Sequence, residues 1–146
     1  MKAGTTSDEL VCFTDMMATF AEIVGCEMPD DAGQDSFSIL PYLLGESPRG
    51  ARRHDLVHSH NGVFTLALRE GDYKLILPHW IYIIKDHTIS PDRIVDTGSN
   101  RIPEIFELYN LSDDPSEERN LFSVMPDKAQ AMFDSLVANI RRGSSH

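Results

Sequence analysis

The stretch "VFTLALREGDYKLILPH", Val63 to His79, decides how this chain folds. Phe64, Leu66 and Leu68 fall on one face of an extended strand, while Val63, Thr65, Ala67 and Arg69 fall on the other. Glu70-Gly71 reads as a tight turn that folds "VFTLALRE" against "DYKLILPH" as an antiparallel hairpin. Working outward, "DLVHSH" (Asp55–His60) reads as a strand before the hairpin and "EIFELYNL" (Glu104–Leu111) as one after it. One face of such a sheet has to be covered. The cover is the C-terminal stretch, where Pro126 suits a first helical position and Ala129, Met132, Phe133, Leu136, Val137 and Ile140 repeat at helical spacing. Arg141, Arg142 and Gly143 then make a favourable helix end. The expected fold class is α+β: a small antiparallel sheet of about four strands packed by a C-terminal amphipathic helix.

Before the sheet the period is helical. "LVCF", residues 10 to 13, reads as a strand tail feeding "TDMMATFAEIVG", where Thr14 or Asp15 caps a helix and Gly25 stops it. Met16, Met17, Phe20, Ile23 and Val24 recur on one side of that helix. In "DSFSILPYLLG", Ser38 is placed to cap a short helical turn with Pro41 near its start and Gly45 after its end. Gly45 to Arg53, rich in Gly, Pro and Arg, is the linker candidate, and residues 79 to 103 form an excursion between strands that opens on the apolar "WIYII".

The chain has 146 residues, 13 of them basic and 23 acidic, and its net charge of −10 argues against nucleic acid and anionic membrane as partners. No apolar run reaches the roughly 18 residues of a membrane span. Cys12 and Cys26 are too few for a disulfide framework and read as inert thiols, and the six histidines show no zinc spacing. In "ELYNLSDDPSEERNL", Glu107 to Leu121, five acidic residues flank one proline. The run lacks the ladder of a calcium loop and reads as a structural corner, with Asp114 accepting backbone hydrogen bonds and Glu117 and Asn120 tying the following turn.

These motifs, taken in order, resemble the C-terminal third of a sulfatase of the alkaline-phosphatase-like superfamily. The resemblance covers nearly everything outside residues 78 to 103. It rests on Asp15, Thr19 and Gly25; on Asp35 through Gly45, with Ser36 where the family has glycine; on Arg69, Gly71, Lys74 and Leu75; and on Leu108 through Leu121, with Asn110 where the family has aspartate. It implies that residues 1–45 are a strand-helix remnant of the catalytic domain and residues 46–146 the C-terminal subdomain. Met1 is then expected to mark a boundary inside a longer polypeptide.

In such enzymes, which hydrolyse sulfate esters, the nucleophile is a formylglycine made from Cys/Ser-x-Pro-x-Arg, and a divalent cation such as calcium holds the sulfate. Neither "CFTDM" at Cys12 nor "CEMPD" at Cys26 fits that motif. The segment alone is therefore expected to be inactive and to carry no cofactor, no metal site and no catalytic residue. The implied partners are the parent's catalytic domain and, through it, a sulfate-ester substrate. Self-association through uncovered apolar surface is a further expectation, and the parent is of a kind often exported to the periplasm or secreted. His58, His60, Asn61 and Trp80 are the candidate substrate contacts, the first three because "HSHNG" puts two imidazoles on one strand face beside a loop entrance. The plain alternatives are half-exposed strand histidines and a Trp80 packed on its own insertion. For Arg69 and Lys74, contact with a sulfate stands against a framework role in the hairpin. The competing function is a free-standing acidic protein-interaction module without catalysis.

Overall fold

The computed structural model describes residues 3–4, 6–47, 50, 52–60, 65–77 and 106–142. They form two compact units, residues 1–54 and residues 55–145.

In the second unit, β1 (Asp55–His60), β2 (Thr65–Glu70), β3 (Tyr73–Ile76) and β4 (Glu107–Asn110) make one antiparallel sheet in sequence order. The β2–β3 loop is Gly71-Asp72, one residue later than the sequence reading, because Glu70 is already paired with Tyr73. Gly71 has φ +58, a left-handed conformation that side chains with a Cβ rarely adopt. The register sets Val57 opposite Leu68, Leu68 opposite Leu75 and Leu75 opposite Leu108, so one apolar row crosses all four strands.

The last helix covers that row. It runs Pro126–Arg142 with Ala129, Met132, Phe133, Leu136 and Val137 buried, and they pack with Leu66, Leu68, Leu75, Leu77, Phe106 and Leu108 in one core. Phe106 anchors it, with its ring centroid 5.5 Å from that of Phe133 and 6.3 Å from that of Phe122. Asn139 is a buried polar residue that the helical period did not announce; its amide donates to Asp55 Oδ2 at 2.5 Å and its oxygen accepts from Arg142. Two rim contacts fasten the helix to the hairpin: Lys128 lies 5.2 Å from the Tyr73 ring centroid and 3.6 Å from Glu70.

The first unit carries α1 (Met16–Val24) and α2 (Leu40–Leu44), which end at Gly25 and Gly45. The expected strand tail at "LVCF" is not formed: residues 10–12 are irregular and Phe13–Asp15 is one turn of 3₁₀ helix. What holds the segment is a hydrogen-bonded aspartate. Asp15, fully buried, accepts from the Cys12 and Phe37 backbone N–H groups at 2.8 and 3.1 Å, and from Arg53 Nη2 and Nε at 2.6 and 3.2 Å. Arg53 also donates to the Asp35 carbonyl and lies over the Phe37 ring. Thr19 is the second buried tie: its hydroxyl donates to the Asp15 carbonyl and accepts from the Ile39 N–H. Asp15, read from sequence as a helix cap, thus joins three segments far apart in the chain.

Burial alone would raise the Asp15 pKa, but Arg53 and the two backbone donors outweigh it and hold the carboxyl below its ordinary value. A carboxylate with a depressed folded pKa stabilises the fold above its unfolded pKa, and that contribution disappears as pH falls through the folded value. Asp15→Ala, which leaves Arg53 buried without this partner, is expected to cost about 3–5 kcal/mol at neutral pH. In urea unfolding followed by amide NMR of the first unit, the wild type should lose stability below pH 4 more steeply than the variant. Equal slopes would contradict the role given to Asp15.

Candidate functional site

The sheet face opposite the helix carries the polar chemistry of the second unit. Alternation and register place His58, Ala67, Ile76 and Glu107 in one row across it and Leu56, Arg69, Lys74 and Tyr109 in the next. Ala67 and Tyr109 are buried, while His58 is exposed and Arg69 and Lys74 are half-buried. Although His58 is exposed, the partial desolvation of its ring on the sheet, and after it the Lys74 charge, lowers its pKa, with Glu117 working in the opposite sense. The Tyr109 hydroxyl donates to Glu107 Oε2 at 3.1 Å, and burial together with that carboxylate pushes its pKa up to about 12.

Of the four residues expected to meet substrate, His58 lies mid-strand on this face. His60 ends β1 opposite Thr65. Asn61 and Trp80 lie outside the described residues. Lys74 is engaged in the framework: its Nζ lies 2.6 Å from Glu117 Oε1. That corrects the reading of Glu117 as a tie within its own turn. Glu117 has φ +56, in the left-handed region, and its carboxylate is spent on the neighbouring strand. The pairing Glu117–Lys74 spans residues too distant in sequence for turn chemistry to show it. Arg69 and Lys74 stand directly opposite each other in the hairpin, and two like charges there call for an acid, but the opposition shows only once the register is known.

The rest of the acidic stretch is a corner built from side-chain acceptors. Asp114 accepts from the Glu118 and Arg119 N–H groups at 3.2 and 2.8 Å. Asn120 accepts from the Leu108 and Phe122 N–H groups at 3.0 and 2.9 Å and donates to the Phe106 carbonyl. Those three bonds hold the returning chain against β4. Among the described residues no group of three His, Cys, Asp or Glu side chains could hold a metal ion. Cys12 is followed by Thr14 and Met16 at the positions where a formylglycine motif has Pro and Arg, and its Sγ lies 2.7 Å from the Thr14 hydroxyl.

The chain's relatives are sulfatases, and they support its reading as a sulfatase C-terminal segment. It is 28% identical over 135 residues to an ulvan-active sulfatase of Formosa agariphila, a match covering 84% of this chain and 27% of that protein. It is 30% identical over 122 residues to an N-acetylgalactosamine-6-O-sulfatase of Bacteroides thetaiotaomicron, covering 84% of this chain and 22% of that one. A solved structure from work on the metabolism of multiple glycosaminoglycans by Bacteroides thetaiotaomicron matches with TM-score 0.58 and 27% identity, over 85% of this chain and 24% of that one. A second, in complex with its substrate D-glucosamine-2-N,6-O-disulfate, matches at 22% identity with TM-score 0.62, over 97% of this chain and 26% of that one, and shows the fold alone. No family model matches the chain. The chain spans about a quarter of the length of the curated relatives it matches.

Asn120→Ala removes two acceptor bonds and one donor bond at the corner and is expected to cost about 1–3 kcal/mol in urea unfolding. Ser116→Ala, at an exposed position in the same corner, should stay within about 0.5 kcal/mol of wild type. A neutral Asn120→Ala would remove the corner from the account.

Proposed function

We propose that this chain completes the fold of a sulfuric ester hydrolase and forms one wall of its substrate pocket, while the nucleophile and the cation ligands come from the remainder of the enzyme. The similarity to two curated sulfatases over 84% of the chain, at about a quarter of their length, carries the reading. Formylglycine and a divalent cation such as calcium, where the complete enzyme holds them, supply the attack on sulfur and the grip on the sulfate. This segment's residues shape and position.

The surface of α1 supports a partner that is the enzyme's own catalytic part. Met17, Phe20, Ile23 and Val24, which the helical period marks as a face for burial, are exposed, and Phe13 just before the helix is 91% exposed. With Met16 and Gly33, three of these residues, Phe13, Met17 and Phe20, line an open and strongly apolar groove. Large apolar side chains clustered this way mark a surface built to be covered. The same surface accounts for the expected self-association of the chain when it stands alone. The relatives' names, ulvan-active sulfatase and N-acetylgalactosamine-6-O-sulfatase, favour a sulfated sugar as substrate.

The test is hydrolysis of a chromogenic aryl sulfate and of a sugar 6-sulfate, by the 146-residue chain and by the polypeptide its gene encodes when read with its upstream sequence. Turnover is expected only from the longer form, where His58→Ala should lower kcat/KM for the sugar sulfate roughly tenfold through the loss of one hydrogen bond. Turnover by the short chain at its unmodified mass would overturn the reading, and so would a longer form that is inert towards both esters.

A further inference from the structure

We draw no further inference here: the strongest candidate, the open apolar groove of the first unit between α1 and residues 33–36, belongs to the surface already described as meeting the rest of the enzyme, and nothing in the structure shows what else covers it.

Discussion

The strand register fixed at the Gly71-Asp72 loop is the constraint on which the second unit depends. With Leu68 opposite Leu75 and Leu75 opposite Leu108, every odd step away from that row reaches the other face. A slip of one residue would turn Leu66 and Leu68 outward and put Arg69 beneath the helix, costing several buried side chains at about 1.5–3 kcal/mol each. The core and the charged outer face are therefore one decision. The same pairing that closes the core brings Arg69 against Lys74 and sets His58 beside Ala67.

The first unit is organised by a different force. Its helices are short and its largest apolar residues are exposed, so packing within the unit contributes little. Asp15 takes over, accepting from two backbone N–H groups and a guanidinium that come from three separate segments. Breaking such a buried pair is far costlier than never having built it, which makes Asp15 and Arg53 interdependent. A unit held by polar ties, with an apolar face turned outward, is suited to be one part of a larger core.

Much of the fold was legible in local pattern. Period two through residues 65–76 and period 3.6 from Pro126 identified the sheet and its cover, and the expected fourth strand formed within "EIFELYNL" as Glu107–Asn110. What the pattern lacked was any statement of what lies against each face: Met17, Phe20 and Val24 have helical spacing fit for a core, yet each is half or more exposed. Long-range polar ties were equally invisible. Arg53 stood in a linker, Glu117 in a turn, and each owes its role to a partner 38 or more residues away. The candidate site was legible only as residue types on a strand. His58 could be placed on a face by counting, but the opposed cations and the residue that neutralises one of them needed the register.

The account's central claim is that these residues are part of a larger sulfate-ester hydrolase. Isolating the native gene product from its source and sequencing it by mass spectrometry tests that claim most directly. The account predicts a polypeptide several times longer than 146 residues, with a Cys/Ser-x-Pro-x-Arg motif upstream carrying the mass of formylglycine. A native product that ends at these residues, bound to no chain carrying that motif, would contradict it.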